Sequence, residues 1–369
     1  MNKTKISNPV RLIAFFLTAL VLVCTFGFTV DGWQNIEDKG DLPSGELTQK
    51  EDTEDRPTVT LPVPDEPEIY IPEYINRLTG LETTEEISKT TPLAFIMDSV
   101  EGCYGISRSD IIVEIPTEDD KTRLISFITD RAELWKIGSL TNGRGYITNL
   151  SKYFGAVAVY NGNDDKISYD SCDTSLSSLD LTINSGYHYT EYSSKTYTNC
   201  DLISAGLKAS GIKDIKSNEV SLPYAFNEFG EENIIFEKTA NQIEIIREDG
   251  SKLQLKYNVD NSQYTYYKNG TITTDALNGK SLEFSNCFVL FADSVTYDKS
   301  DCSQMVMDTI GNGKGYYITQ GSYTEIKWNA TKMGVMNFYL STGEKLTVNR
   351  GNSYICYVKS SKNDSVIFS

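Results

Sequence analysis

The sequence contains a single histidine, His188, in 369 residues. A zinc site built on two imidazoles is therefore excluded. No Cys-x-x-Cys pair occurs among the seven cysteines, so neither a zinc ribbon nor a thioredoxin-like redox site is indicated. The absence of a Gly-x-Ser-x-Gly elbow argues against a Ser-His-Asp hydrolase. Because His188 lies between two tyrosines, we interpret it as structural.

Basic residues are scarce: 34 Lys and Arg face 51 Asp and Glu, which gives a formal charge of −17. Such a surface repels phosphate backbones, so no nucleic-acid partner is expected. With 39% hydrophobic and 23% charged residues, the composition excludes collagen-like, fully disordered and polytopic membrane proteins. The length is typical of about two domains.

One long apolar run is present, at residues 12–30, and it contains no charged residue. Three basic residues precede it and an acidic residue follows, so we predict a single-pass signal-anchor with residues 1–11 in the cytoplasm and the rest extracytoplasmic. A cleaved signal peptide is the first alternative. Lipidation at Cys24 is the second, and Val23 argues against it because a small residue is the rule at that position.

Residues 31–75 hold six of the ten prolines, thirteen acidic residues and three basic ones. This composition predicts an extended linker that buries little, and it accounts for −10 of the net charge. We interpret it as a solvated stalk; a ligand for a basic partner is the alternative. Six cysteines follow the apolar run, so disulfides and buried thiols are both open.

Residues 76–232 are predicted to form a mixed α+β or α/β N-terminal domain. Strands are expected at 92–97, 110–115, 122–128 and 156–160, and helices at 147–154 and 199–210. The second and third strands form a hairpin in this prediction. Thr198 and Asp201 match a capping box for the last helix, and Gly211 is placed to end it.

Residues 233–369 are predicted to form a mostly antiparallel β domain, because tyrosines and β-branched residues alternate between recurrent turn pairs. These pairs are Asp249-Gly250, Asn269-Gly270, Asn278-Gly279, Thr342-Gly343 and Arg350-Gly351. The run Gly-Asn-Gly-Lys-Gly at 311–315 lacks the spacing of a phosphate-binding loop and precedes no helix. We interpret it as a tight β-turn.

The densest cluster of polar residues in the N-terminal domain lies along the predicted hairpin. Alternation places Asp110, Ile112 and Glu114 on one face of the second strand. A glutamate inside an apolar strand requires a donor, so Arg123 is expected to pair with Glu114 or with Glu118. This group is either a structural ion pair or the wall of a polar pocket.

Arg144 lies between two glycines, where backbone can approach a ligand closely and no helix or strand period demands a cation. We therefore expect Arg144 to be available to an anion and nearly dispensable for stability. Arg123, Arg144, Asp110, Glu114 and Glu118 are the candidate binding residues. No catalytic residue is assigned, and neither a metal nor another cofactor is predicted.

Several segments resemble, in order and spacing, a family of YerB-like bacterial envelope proteins. They are residues 76–81 (Asn-Arg-Leu-Thr-Gly-Leu), 91–98 (Thr-Pro-Leu-Ala-Phe-Ile-Met-Asp), 109–114, 122–123, 137–146, 311–317 and 326–328. Many members are predicted lipoproteins of Gram-positive bacteria, with an N-terminal domain of unknown function and a separate C-terminal domain. The resemblance implies this organisation here, without an activity to transfer.

Two positions depart from the family pattern. Thr141 stands where the family has the first arginine of a pair, and Ser194 stands in place of its histidine. The resemblance therefore implies a divergent member in which an anion-binding or catalytic site is weakened.

The sequence favours a membrane-tethered, extracytoplasmic binding module of a cell envelope, bound to the membrane by its N-terminal helix and to another envelope component. The alternative is an enzyme acting on an anionic cell-wall or lipid-linked phosphate substrate. Both arginines and two carboxylates in one open cleft would favour the enzyme. Arginines buried in separate ion pairs would favour the binding module.

Overall fold

The computed structural model describes residues 69–369 except 119–120, 165–171, 173–176, 192–193, 213–219, 300–301 and 361–364. The predicted anchor at 12–30, Cys24 and most of the spacer lie outside the described residues. Within those residues, no helix combines the length and the apolarity needed to cross a membrane.

The described chain is rich in strands and has three α-helices: α1 (Glu85–Lys89), α2 (Gly145–Tyr153) and α3 (Cys200–Ala209). The strands of the first half are β1 (Leu93–Met97), β2 (Ile111–Pro116), β3 (Thr122–Ile128), β4 (Ile137–Leu140), β5 (Val157–Tyr160), β6 (Ser178–Asp180), β7 (Tyr189–Thr190), β8 (Thr196–Thr198) and β9 (Ala225–Phe226).

The second half contains β10 (Lys238–Thr239), β11 (Gln242–Ile246), β12 (Lys252–Asn258), β13 (Gln263–Lys268), β14 (Thr271–Ile272), β15 (Glu283–Phe284), β16 (Asn286–Ala292) and β17 (Ser294–Lys299). It continues with β18 (Cys302–Met307), β19 (Gly311–Thr319), β20 (Ser322–Ala330), β21 (Met336–Leu340), β22 (Thr347–Val348), β23 (Ser353–Lys359) and β24 (Ser365–Phe368).

One 14-stranded sheet includes strands from both halves of the chain. Its main path runs β10-β20-β19-β16-β23-β2-β3-β1-β4-β8-β7, with β21, β5 and β6 attached beside it. A six-stranded sheet contains β11 to β15 and β24. The joint between the halves is the parallel pair of β2 with β23, in which Ile111 lies opposite Ser353.

The predicted hairpin at 110–128 is present as the antiparallel pair of β2 and β3. Its faces alternate as expected: Ile111, Val113 and Ile115 enter one hydrophobic core, whereas Ile112 enters the other. The large sheet therefore has a core on each face.

On one face the six-stranded sheet covers the large sheet, since Leu255 and Tyr264 share a core with Val289 and Val358. On the opposite face, Leu150 of α2 belongs to the other core. The central strands of the large sheet are buried on both sides, and their sequences accordingly read as largely apolar runs; these strands are β1, β2, β3, β16 and β23.

Helix α3 begins with a different cap from the predicted one. The side chain of Asn199 accepts a hydrogen bond from Leu202 N, 3.0 Å away, so Asn199 is the N-cap. The hydroxyl of Thr198 instead donates to Tyr187 O at 2.8 Å. Gly211, at φ +66°, follows the helix end as predicted.

The run at 311–315 is part of β19 and not a tight turn, so that prediction is wrong. A Cβ at Gly313 would lie 2.6 Å from the indole nitrogen of Trp328 and 2.5 Å from Phe291 O. The glycine leaves room for Trp328 to cross β19 and donate to Phe291 O, 3.1 Å away. The glycines therefore allow close packing between the strands. A strand at 311–315 also agrees with the argument above against a phosphate-binding loop.

The described cysteine side chains are thiols. Cys103, Cys172, Cys287 and Cys356 are buried, and Cys200 is partly exposed. The sequence left disulfides and buried thiols open. These five residues agree with the second alternative, because all of them are unpaired thiols.

Candidate functional site

The arginine cluster consists of Arg123, Arg144, Glu118 and Asp164. Arg144 directly precedes α2 and is 4% exposed. Its guanidinium donates from both terminal nitrogens to the two oxygens of Glu118, each at 2.7 Å, and from Nη2 to Asp164 Oδ2 at 2.8 Å. This forked pairing is the strong geometry for arginine and carboxylate.

Arg123 enters the same cluster from β3. Its Nη1 donates to the carbonyl of Asn142 at 2.9 Å, and its Nη2 lies 3.8 Å from Asp164 Oδ2. The expected pairing with Glu114 is wrong, and of the other expected partner, Glu118, the ion pair is with Arg144, whereas Arg123 pairs with Asp164. In the hairpin register Arg123 lies opposite Ile115, whereas Glu114 lies opposite Leu124, so the two charged side chains point to opposite faces of the sheet.

The charges of the arginine cluster balance, with two guanidinium groups and two carboxylates. Burial by itself raises the pKa of Glu118. The hydrogen bonds from Arg144 lower this pKa by a larger amount, so that the pKa is about 2. In Arg123, by contrast, burial lowers the pKa, and the positive charge of the neighbouring Arg144 lowers it again. In Arg144, burial lowers the pKa but the bonds to Glu118 and Asp164 raise it more.

Glu114 forms a separate polar cluster on the other face of the sheet. Its Oε2 accepts hydrogen bonds from Tyr354 at 2.6 Å and Tyr266 at 3.0 Å, and its Oε1 lies 3.3 Å from Arg247 Nη2. The same nitrogen is 3.6 Å from Cys356 Sγ. All five side chains are buried. Together they join the two halves of the chain.

A cavity of about 410 Å³ adjoins this second cluster, with Glu114, Arg247 and Tyr266 among its lining residues. Sequence reasoning missed Arg247 and both tyrosines. They are more than 100 residues from Glu114 in the chain, so no local motif links them.

Asp110 lies at the start of β2 and belongs to neither cluster. It accepts hydrogen bonds from Asn76 Nδ2 and from the backbone nitrogen of Thr129, both at 2.8 Å. Burial raises the pKa of Asp110 to about 6 although these donors oppose the shift. The structure therefore brings together Glu118, Arg123 and Arg144 and separates Glu114 and Asp110 from them.

An open cleft of about 320 Å³ lies beside the arginine cluster. Hydroxyl and amide groups dominate its walls, which are formed by Asp98, Ser139, Leu140, Thr141, Asn142, Asn161, Ser194, Lys195 and Thr196. Both positions at which the sequence departs from the family pattern, Thr141 and Ser194, line this cleft. Arg123 fixes one wall through the carbonyl of Asn142.

Asn161 lines the cleft and donates from Nδ2 to Thr196 Oγ1 at 3.0 Å. Its Oδ1 is buried and has no hydrogen-bond partner among the described residues. A buried amide oxygen without a donor costs free energy, so Asn161 carries an uncompensated polar atom in the lining of the cleft.

His188 lies away from these groups, with Nδ1 3.1 Å from Leu181 O, which agrees with its structural interpretation. In the described part of the chain, no three His, Cys, Asp or Glu side chains come together in a way that could hold a metal ion.

The chain belongs to the DUF3048 family of proteins of unknown function. Residues 78–213 match the N-terminal domain of this family and residues 243–355 match its C-terminal domain. The arginine cluster and the cleft lie in the first match, and most of the six-stranded sheet lies in the second.

Comparison with individual proteins gives YerB of Bacillus subtilis, both as a sequence and as a solved structure. The chain is 25% identical to "Putative lipoprotein YerB" of strain 168 over 266 residues, which are 68% of this chain and 76% of the relative. The crystal structure of YerB protein from Bacillus subtilis matches with a TM-score of 0.67 at 19% identity, covering 80% of this chain and all of the other. The YerB-like resemblance is thereby confirmed, and the structural match shows the fold.

Proposed function

We propose that this chain is a membrane-tethered, extracytoplasmic binding module of a bacterial cell envelope. The name of its curated relative, a putative lipoprotein, supports an envelope association. The uncharged run at 12–30 and the proline-rich, acidic spacer that follows support a tether that holds the folded part away from the membrane.

The observation that carries this proposal is the internal neutralisation of the arginine cluster. Both arginines meet two carboxylates, as the enzyme alternative requires, but they are buried and bound to the chain's own groups. An anionic substrate would have to displace Glu118 from a forked pair, which costs more than binding to an open guanidinium. This arrangement favours a scaffold for binding over an anion-processing site.

The cleft beside the cluster is the proposed binding site. Hydroxyl and amide side chains form most of its wall. Such a surface suits an uncharged ligand rich in hydroxyl groups. In the envelope, the glycan strands of peptidoglycan have this chemistry.

Sedimentation with Bacillus subtilis peptidoglycan that has been stripped of its anionic polymers tests the proposal. The full chain in detergent should co-sediment, and Thr141→Trp, which fills the cleft, should weaken binding at least tenfold. Thr271→Trp, on exposed strand β14, is the matched control and should bind as the wild type does. Absence of wild-type binding, or equal binding by Thr141→Trp, would reject the cleft as a glycan site.

A further inference from the structure

Arg247 lines the cavity of about 410 Å³ beside Glu114, here called the Arg247 pocket, and is 6% exposed. A guanidinium group carries five N–H donors. In the described chain only Nη2 has acceptors, which are Glu114 Oε1 at 3.3 Å and Cys356 Sγ at 3.6 Å. Nε and Nη1 have none, and unlike Nε of Arg144 and of Arg350 they are not enclosed by protein. Both nitrogens are therefore open donors at the wall of the pocket.

The Arg247 pocket is balanced in charge, since its lining contains four basic and four acidic side chains. Arg247 itself is neutralised by Glu114. Nearer the surface, Lys268 lies 3.7 Å from Glu101, and these side chains are 29% and 67% exposed. Such a lining gives no advantage to a ligand of a single charge. It suits a ligand that carries charges of both signs together with neutral hydrogen-bond acceptors.

Asp98 lines both the Arg247 pocket and the cleft that contains Thr141. The two cavities therefore adjoin at this residue, just beyond the end of β1. Asp98 is exposed, and its carboxylate has no ion-pair partner within 4 Å in the described chain. It is thus available to an ammonium group of a ligand.

We propose that the Arg247 pocket binds a short peptide with a free amino group, the chemistry of the peptides attached to the glycan strands of peptidoglycan. A peptide carbonyl oxygen accepts a hydrogen bond from Nε or Nη1 of Arg247, and the ammonium group pairs with Asp98. Because the two cavities adjoin, one ligand fills both, with its sugars in the cleft and its peptide at Arg247. This inference rests on the proposed glycan function of the cleft and names the second part of the same ligand.

Calorimetric titration of the full chain in detergent tests the pocket with the tripeptide L-Ala-γ-D-Glu-L-Lys, in which two ammonium and two carboxylate groups balance. Wild-type protein should bind this probe. Thr122→Trp, which fills the pocket from β3, should bind it at least tenfold more weakly. Thr347→Trp, on an exposed position of β22, is the matched control and should bind as the wild type does.

Asp98→Asn provides a second variant, at an exposed position where the fold is retained. It should also weaken tripeptide binding, and acetylation of both amino groups of the tripeptide should reduce the affinity of the wild type at least tenfold. Equal affinity for the acetylated and the free tripeptide, or no binding of the free tripeptide, would overturn the proposal.

The tripeptide contains no sugar, so it tests the pocket independently of the cleft. Thr141→Trp should therefore still bind the tripeptide although it loses peptidoglycan. A wild-type protein that sediments with peptidoglycan in a Thr141-dependent manner but does not bind the tripeptide would retain the cleft and reject the peptide site.

Discussion

At the scale of single residues, Arg144 differs most from its sequence-based expectation. The flanking glycines suggested a cation held open for a ligand. In the structure the guanidinium is 4% exposed and holds two carboxylates. Its contribution is therefore to stability, because removing it leaves Glu118 and Asp164 close together without their counter-charge.

We expect Arg144→Ala to lower the free energy of unfolding by about 3 kcal/mol, as for other largely buried ion pairs that lose one partner. Arg108→Ala is the control: its bond to Asp130 is partly exposed and should contribute less than about 1 kcal/mol. Urea denaturation measures both values. Equal stabilities of Arg144→Ala and the wild type would contradict a stabilising role for the cluster.

Acid should destabilise the protein partly through Glu118. Its pKa is about 2 in the folded chain against an ordinary value of 4.5, so the ionised form is favoured by folding. The stabilisation is complete above pH 4.5 and is lost as the pH falls from 4.5 towards 2.

Thermal melts across that pH range should therefore show a smaller loss of melting temperature in Glu118→Gln than in the wild type. Glu228→Gln, on an exposed glutamate, should retain the wild-type acid dependence. If Glu118→Gln and the wild type had identical acid profiles, Glu118 would not be the responsible group.

At the scale of elements, the hairpin of β2 and β3 was predictable because alternation and a polar turn are local signals. The cap of α3 was missed by one residue, since Thr198 and Asn199 are both good capping residues and a contact with Tyr187 engages the threonine. The strand at 311–319 was misread because glycines usually mark turns. Here Gly313 makes room for a tryptophan that follows fifteen residues later.

Gly313→Ala should therefore lower the free energy of unfolding by about 2 kcal/mol, because its methyl group would displace Trp328 from its bond to Phe291 O. Gly270→Ala serves as the control; it meets open space but has a φ of +79°, so about 1 kcal/mol is expected. Tryptophan fluorescence should change in the first variant alone. An unshifted spectrum would contradict the packing role.

At the scale of the whole molecule, the Glu114 cluster shows what sequence reasoning could not reach. Glu114 was singled out from its strand, but Arg247, Tyr266 and Tyr354 approach it only because β23 and the six-stranded sheet pack against β2. Local periodicity identifies a buried carboxylate. Its partners depend on the sheet order, which has no signature in one sequence.

Because the five described cysteine side chains are unpaired thiols, we predict that the fold does not depend on disulfides. Burial raises the pKa of Cys103 and of Cys356 to about 12, so few thiolates form near neutral pH. A thiol reagent should label Cys200 well before Cys287 or the other buried cysteines, as peptide mass spectrometry can establish. A large fall in melting temperature on adding a reductant would contradict this prediction.

The parallel joint between β2 and β23 also fixes an order of events during synthesis. Translation makes β23 long after β2, so one edge of β2 has no strand to pair with until β23 has been made. An unpaired, apolar strand edge readily joins another chain. The nascent protein is thus at risk of aggregation until β23 emerges, and a chaperone that covers strand edges would matter most during that interval.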